Sequence, residues 1–242
     1  MNQPLAIEPG PPAGRPDVSV LDNAAWHALR GAHERLAEVH GRARRYRSEF
    51  ARYSALSDER DEQAWRDLAR LAGPGAEVVL TGAPVEPPAD WIVVKVGHAV
   101  QMAAEGVDDA PDDEASVLGP ADVPQIVELI ERTRPGPWRP RTIQMGTYLG
   151  IRHRGRLIAM AGERVHPPGW TEVSAVCTDV GYRGRGLASR LVRAVVHNIR
   201  NRGEEAFLHA AATNTNAIRL YDELGFRLRR ETVFAQLLAP GA

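Results

Sequence analysis

The clearest change of hydrophobic pattern in the chain lies between residues 173 and 202, where an apolar, strand-like run gives way to a helical repeat. Residues 173–178, VSAVCT, are mostly apolar and rich in β-branched side chains, which is typical of a buried strand. From Leu187 apolar side chains recur at every fourth position and Arg and His fill the opposite face, so residues 187–202 are predicted to form an amphipathic helix. The segment between the two patterns contains three glycines, Gly181, Gly184 and Gly186. The pattern therefore predicts a strand, a glycine-rich turn and a helix in succession.

Similar patterns surround this unit and predict an α/β protein. In the second half, strands are predicted at residues 116–118, 148–152, 157–165, 207–211 and 226–237, and helices at 121–132 and 214–224. In the first half, helices are predicted at 24–29 and 58–72, a hairpin within 34–46, and strands at 77–80 and 91–96.

Composition shifts divide the chain into four predicted segments. Residues 1–20 are rich in proline and poor in apolar side chains, which is typical of a flexible tail. Residues 21–104 form a small N-terminal α/β lobe. Residues 105–114, EGVDDAPDDE, carry like charges that should repel one another and stay solvated, so they are predicted to be an acidic linker. Residues 115–242 form the second domain.

The glycine-rich turn is a candidate anion site. A strand that enters a helix through such a turn presents unpaired N–H groups and the positive end of the helix dipole. Residues 181–202 contain six arginines and no Asp or Glu, so their formal charge is expected to reinforce the dipole. Two nucleotide-binding motifs fail here, because Ser189 replaces the third glycine of a dinucleotide fingerprint and Leu187 replaces the lysine of a phosphate-binding loop.

Bulk properties exclude several partner classes. A formal net charge of −1 and an isoelectric point of about 6.7 provide no overall basic field for nucleic acid or acidic membranes. The single cysteine, Cys177, excludes an intramolecular disulfide and a thiolate zinc cluster, and favours a reducing compartment. No apolar run approaches the roughly 20 residues that cross a bilayer, and the first residues lack the pattern of a signal peptide. A cytoplasmic protein without a metal, a nucleic acid or a membrane partner is expected; its oligomeric state is left open, a homodimer included.

Two motifs resemble those of the GCN5-related N-acetyltransferase (GNAT) superfamily. Arg183, Gly186 and Ala188 fill the pattern Arg/Gln-x-x-Gly-x-Gly/Ala, which resembles the acyl-CoA pyrophosphate loop of that family. Residues 214–226, NTNAIRLYDELGF, resemble its Asn-x-x-Ala-x-x-Leu-Tyr motif followed by Gly-Phe. With the element order, the resemblance covers residues 115–238 and implies a mixed central sheet flanked by helices. The N-terminal lobe would then be a degenerate GNAT-like half, and the proline-rich residues 134–141 replace the family's usual second helix.

The resemblance also implies the residues of a cofactor site for acetyl-CoA. Main-chain groups of Val176, Cys177 and Thr178 would hold the pantetheine arm like an added strand. Asn214 would donate a hydrogen bond to the CoA chain, and Tyr221 would donate a proton to the departing thiolate. The pyrophosphate would lie against Arg183, Gly184, Arg185, Gly186, Leu187, Ala188 and Ser189.

The base that frees the acceptor amine is left open between three residues and water. Histidine is the side-chain type that exchanges its proton most readily near neutral pH, which suits the task, but at the position of His209 some protein N-terminal acetyltransferases of the family carry a glutamate. Glu172 and Glu163 are alternatives, and a satisfied polar role fits each of the three equally well. Cys177 is rejected as a nucleophile, because direct transfer needs no covalent stage and no partnering base is evident.

The resulting prediction is an N-acyltransferase that moves an acetyl group from acetyl-CoA to a primary amine of a small molecule or peptide, without a metal. The alternative is a catalytically silent CoA-binding or regulatory module whose N-terminal lobe occupies the acceptor cleft. The acceptor is expected to contact residues 133–147 and 166–170, where Trp138 and Trp170 either flank it or cover the edges of the core. The sequence names no acceptor.

Overall fold

The computed structural model describes residues 15–84 and 86–241 of the 242-residue chain. Most of the predicted tail, residues 1–14, lies outside the described residues. None of the helices in the described ranges has both the length and the apolar character that crossing a bilayer requires.

Five α-helices and eleven strands, joined by loops and short 3-10 helices, make up the described chain. The helices are α1 (Ala24–Leu29), α2 (Glu62–Ala72), α3 (Val123–Thr133), α4 (Leu187–Asn201) and α5 (Thr215–Glu223). The strands are β1 (Ala37–His40), β2 (Ala43–Tyr46), β3 (Tyr53–Leu56), β4 (Glu77–Gly82), β5 (Ile92–Ala104), β6 (Ser116–Val117), β7 (Tyr148–His153), β8 (Arg156–Glu163), β9 (Trp170–Thr178), β10 (Glu205–Ala211) and β11 (Phe226–Leu238).

All eleven strands join one mixed sheet in the order β1-β2-β3-β4-β11-β5-β10-β9-β8-β7-β6. The pairs β3–β4 and β9–β10 are parallel, and the other pairs are antiparallel. Helix α4 packs on the sheet through an apolar face in which Leu191, Val192, Val195 and Ile199 are almost completely buried. The predicted α/β class is confirmed.

The two halves of the chain contain the same order of strands and helix, and the last strand of each half pairs with the other half. Strands β1, β2 and β3, helix α2 and the parallel strand β4 have the same order as β7, β8, β9, α4 and β10. Strand β5 then pairs with β10 of the other half, from Phe207↔Ala103 to Ala211↔Ala99, while β11 pairs with β4. The long strands β5 and β11 also pair with each other. The predicted division at residues 105–114 therefore runs through a chain whose halves share one sheet, and it stays a prediction.

Residues 105–114 are mostly exposed, but two of their carboxylates pair with the basic face of α4. Asp112 accepts hydrogen bonds of 2.6 and 2.8 Å from Arg190, and Asp109 pairs with both His197 and Arg200. The basic face of α4 thus supplies counter-charges to the acidic segment, and these are not evident from residues 105–114 alone. The charges of Arg190 and Arg200 are consequently compensated. The expectation that all the arginines of residues 181–202 reinforce the dipole at the glycine turn is corrected for these two.

Candidate active site

The central feature of the site is an opening between two parallel strands. Strands β9 and β10 pair only from Trp170↔Glu205 to Val173↔Leu208. Beyond that point residues 174–178 of β9 and 209–211 of β10 are not paired with each other, and they border a cavity of about 1000 Å³. Because main-chain polar groups need partners, the parted strands offer them to whatever occupies the cavity.

A β-bulge shapes the β9 side of the opening. The register between β8 and β9 shifts between Met160 and Gly162, and Ala175 has a positive φ of 54°. Such a bulge bends the strand and leaves a residue out of the ladder. The sequence carries no signal for it, because alanine is not typical of left-handed backbone.

The glycine turn begins on the same side of the cavity. Gly184 and Gly186 have φ values of 74° and 75°, and a Cβ at either position would meet no atom within 4 Å. Glycine is therefore favoured there by backbone conformation, and open space adjoins both positions. Gly181 has no positive φ, so backbone conformation does not require glycine at this third position.

Helix α4 starts without a side-chain cap. Gly186 is its N-cap residue, and in the described chain the main-chain N–H groups of Leu187, Ala188 and Ser189 make no hydrogen bond. All three residues line the cavity, as does Arg183, whose Nε donates to the Thr178 carbonyl. Arg185, also predicted for the cofactor site, instead stacks on Tyr182 with 5.0 Å between its guanidinium carbon and the ring centroid, and it does not line the cavity.

The predicted pantetheine-binding residues border the opening. Val176, Cys177 and Thr178 line the cavity, and within the described ranges the buried Thr178 hydroxyl has no hydrogen-bond partner. Burial raises the pKa of the Cys177 thiol to about 11. A thiol that stays protonated at neutral pH is a poor nucleophile, which agrees with the rejection of Cys177 in that role.

Tyr221 and Asn214 reach the cavity from α5. Tyr221 is 8% exposed and packs edge-on against Phe226, and its hydroxyl makes no hydrogen bond with any residue that the structure describes. Burial raises the pKa of Tyr221 to about 12. The Asn214 side-chain oxygen accepts a 3.2 Å hydrogen bond from the Ala217 N–H, so this residue caps α5 while lining the cavity.

Glu172 belongs to a buried ion pair. Arg164 donates to its carboxylate at 2.6 and 2.8 Å, and the Nδ1 of His209 lies 2.8 Å from the same carboxylate. Burial raises the pKa of this carboxyl, but the Arg164 guanidinium and the hydrogen bonds outweigh it and hold the pKa well below its usual range. Glu172 does not line the cavity.

His209 does line the cavity, yet both of its ring nitrogens are engaged. The side-chain oxygen of Gln101 accepts from Arg229, so the amide nitrogen of Gln101 faces the Leu21 carbonyl at 2.9 Å and His209 Nε2 at 3.1 Å. That nitrogen can only donate. His209 Nε2 is therefore an acceptor, and the ring proton lies on Nδ1, toward Glu172. The orientation leaves no free lone pair for an incoming amine.

Three further candidates lie away from the cavity. Glu163 is buried, accepts from the Thr147 N–H and from Arg202, and burial raises its pKa. Trp138 packs on Tyr148 with 5.2 Å between ring centroids, and Trp170 is fully buried and donates to the Asp17 carbonyl. The two tryptophans thus belong to the core and its edges and do not border the cavity.

Strands of the first half of the chain, together with β11, complete the cavity wall, which the sequence did not predict. The residues concerned lie on or beside β3, β4, β5 and β11, namely Arg52, Tyr53, Val79, Lys95, Gly97, Phe234 and Gln236. One sequence signal existed, because Lys95 is the only lysine in the chain. Within the described ranges, no group of three His, Cys, Asp or Glu side chains is placed to hold a metal ion.

Comparison with known proteins identifies the family. The model of the FR47-like protein family matches residues 148–235. A mycothiol acetyltransferase from Thermomonospora curvata is 39% identical over 82 residues, which are 34% of this chain and 27% of that protein. The chain thus spans about a quarter of the length of the mycothiol acetyltransferases that it matches.

Two relatives are matched over most of their length. The N-alpha-acetyltransferase RimI of Mycobacterium tuberculosis is 31% identical over 118 residues, which are 44% of this chain and 73% of that protein. A solved GNAT-family structure from Novosphingobium aromaticivorans is 41% identical, with a TM-score of 0.82 over 92% of this chain and 99% of that one. The predicted fold, a mixed central sheet flanked by helices, is thereby confirmed, and the chain belongs to the GCN5-related N-acetyltransferase superfamily.

Proposed function

We propose that the protein is an N-acetyltransferase that moves an acetyl group from acetyl-CoA directly to a primary amine of a small molecule or peptide. The observation that carries the proposal is the opening between β9 and β10 beside an uncapped helix start, with a cavity of about 1000 Å³. The names of the relatives, which are acetyltransferases, support the same reaction class.

The two sides of the opening fit different parts of the cofactor. The unpaired segment of β9, with Val176, Cys177 and Thr178, offers main-chain groups to the amides of a pantetheine arm, as an added strand would. The free N–H groups of Leu187, Ala188 and Ser189, together with the dipole of α4, favour a pyrophosphate. Acetyl-CoA supplies an activated thioester when it is bound.

Tyr221 is the proposed donor to the leaving sulfur. With a pKa of about 12 its hydroxyl stays protonated at neutral pH, so it can donate a hydrogen bond. Complete proton transfer from Tyr221 to a thiolate whose conjugate acid has a pKa near 8.5 would be uphill by roughly 3.5 pKa units, or about 5 kcal/mol. The pKa therefore supports stabilisation of the developing charge by a hydrogen bond, with water supplying the proton afterwards.

We propose no side chain as the general base. Glu172 is engaged by Arg164 and His209, and both nitrogens of His209 are occupied. Their proposed role is to hold the β10 wall of the cavity in place. The amine would enter in its neutral form after losing its proton to water.

Thiol release tests the function. Acetyl-CoA is incubated with a panel of amines, amino acids and peptides, and free CoA is measured against time. Transfer to at least one amine is expected, and CoA should raise the melting temperature by several degrees where ATP and NAD do not. Binding of CoA without thiol release on any acceptor would favour the silent CoA-binding module, and no binding at all would contradict both.

A further inference from the structure

One part of the cavity wall, which we call the acceptor end, is formed by strands other than β9, the strand that leads into the glycine turn. It comprises Arg52, Tyr53, Val79, Lys95, Phe234 and Gln236. These residues lie on or beside β3, β4, β5 and β11, none of which carries the glycine turn or α4, although Arg164 links the Tyr53 hydroxyl to Glu172 of β9 by hydrogen bonds. A pyrophosphate at the start of α4 therefore leaves this end free for the acceptor.

Strand register places four of these residues in one row. Tyr53 pairs with Val79, Val79 with Gln236, and Gln236 with Lys95. Directly paired residues share a face of the sheet, and all four line the cavity. Lys95 ends the row on β5, the strand next to β10, beyond the last β5–β10 pair at Ala99↔Ala211.

The charge of the cavity wall is positive. The cationic side chains that line it are Arg52, Lys95, Arg134, Arg164 and Arg183, and across the described residues no Asp or Glu side chain lines it. Of these, Arg164 is matched by Glu172, and Arg52, at the acceptor end, pairs with Glu77. Lys95 is exposed and forms no ion pair with any described residue. It is the uncompensated charge of the acceptor end.

This charge restricts the chemistry of the acceptor. A simple primary amine is a cation at neutral pH, so a wall of cations without a carboxylate repels it. An amine that also carries a carboxylate has no net charge at neutral pH, and its carboxylate is attracted to the cations of the wall. The same positive field lowers the pKa of the bound amine and favours the neutral form that attacks a thioester, which fits a site without an evident base.

The residue types agree with a small carboxylate ligand. Lys95 is the only lysine in the sequence, and all other basic side chains apart from histidine are arginines. Lysine offers a compact ammonium rather than a bidentate fork. Beside it Gly97 adds free space, since a Cβ there would meet only the Phe234 carbonyl oxygen, at 3.9 Å. Phe234 and Val79 provide apolar surface for the body of the acceptor.

We infer that the acceptor is a small amine of the amino-acid class, whose carboxylate pairs with Lys95 while its amine points toward the opening between β9 and β10. The inference rests on the proposed acetyl transfer and narrows its substrate. A peptide N-terminus, whose own carboxylate is remote, is then a poor acceptor.

Matched acceptors test the inference. Each of several amino acids is compared with its amide and its decarboxylated amine, which keep the same amino group. We expect kcat/KM for the free carboxylate to exceed that for the amide by roughly ten- to a hundredfold, the size of one charge-assisted hydrogen bond. Lys95→Met should abolish this ratio with little effect on the amide, and Lys95→Arg should keep most of it. Arg35→Met, which removes an exposed cation outside the cavity, is the control.

A second readout needs no turnover. Because the chain has one lysine, reductive methylation followed by mass spectrometry reports on Lys95 alone among its side chains. An N-acetylated amino acid should slow the methylation, and its amide should not. Protection without transfer to any amine would overturn the proposed function and leave the carboxylate site standing.

Other outcomes would overturn the inference about the carboxylate and leave the proposed acetyl transfer standing. Equal transfer to carboxylate and amide, with Lys95→Met unchanged, would leave an acetyltransferase of another specificity. A preference for peptide N-termini would likewise indicate an acetyltransferase whose acceptor is not a small amino acid. Acetylation of Lys95 itself would show that its ammonium occupies the acceptor position, which also contradicts a carboxylate pair.

Discussion

Tyr221 combines burial with a hydroxyl that no described residue engages. We predict that Tyr221→Phe lowers kcat by roughly a hundredfold or more, since the leaving sulfur loses its donor, while the affinity for CoA changes little. Steady-state thiol release and calorimetric titration with CoA measure the two quantities. Tyr148→Phe is the matched control, because Tyr148 is also buried with an unpartnered hydroxyl but lies off the cavity. Equal turnover in Tyr221→Phe and the parent would remove Tyr221 from the mechanism.

His33 predicts a pH dependence of stability. Its Nδ1 lies 2.8 Å from the Tyr46 hydroxyl and its Nε2 lies 2.9 Å from the Met145 carbonyl oxygen. Burial and the neighbouring His166 lower the pKa of His33 to about 4, and burial lowers that of His166 to about 4 as well. Because the unfolded chain binds these protons near pH 6.5, the stabilisation is complete above pH 6.5 and is lost as the pH falls toward 4.

Urea unfolding at a series of pH values measures this loss. Each histidine can account for about 3 kcal/mol over the full range. In His33→Gln the slope of unfolding free energy against pH should fall by about 1.4 kcal/mol per pH unit within that window, the value for one proton. An unchanged slope would show that His33 does not titrate on unfolding.

At the scale of elements, the acidic segment over α4 has a testable energetic role. Asp112 accepts from Arg190 and from the main-chain N–H groups of Glu114 and Ala115. We predict that Asp112→Asn lowers the unfolding free energy by about 1 to 2 kcal/mol, because charge-assisted hydrogen bonds are lost. Asp113→Asn, at an exposed neighbour, should change it by less than about 0.5 kcal/mol. Urea unfolding measures the unfolding free energy of both variants. An equal decrease in the two would contradict the pairing of Asp112 with Arg190.

The elements that the sequence predicts well are those whose causes are local. The apolar stripe of α4, the left-handed Gly186 before it and the hairpin at Arg154 and Gly155, both of positive φ, all lie within a few residues of their signals. Strand β3 was not predicted, because its four buried residues show no alternation. The pairing of residues 105–114 with α4 joins segments that are far apart in the chain, so no local pattern indicates it.

The candidate site divides in the same way. The donor side comes from β9, the glycine turn and α5, which carry contiguous motifs, so it could be predicted. The acceptor end comes from β3, β4, β5 and β11, which only the sheet order brings together. No local pattern in those strands indicates which residues face a cavity.

At the scale of the whole molecule, the exchanged strands make the halves dependent on each other. A fragment of residues 115–242 would lack β4 and β5, so one edge of β10 and both edges of β11 would be unpaired. We predict that this fragment aggregates or stays unfolded alone, as circular dichroism and size-exclusion chromatography would show. A monomeric fragment with cooperative unfolding would establish residues 115–242 as an autonomous domain.

The most direct test of the account is the affinity of CoA for Gly186→Glu. A glutamate at this left-handed position, at the start of α4, would set bulk and negative charge against the free N–H groups. Gly155→Glu adds the same side chain at a φ of 78° in a remote hairpin turn and serves as the control. Calorimetric titration should show a loss of roughly a hundredfold or more for Gly186→Glu and parent-like affinity for Gly155→Glu. CoA binding by Gly186→Glu as tight as that of the parent would contradict the proposed cofactor site and the transferase assignment that rests on it.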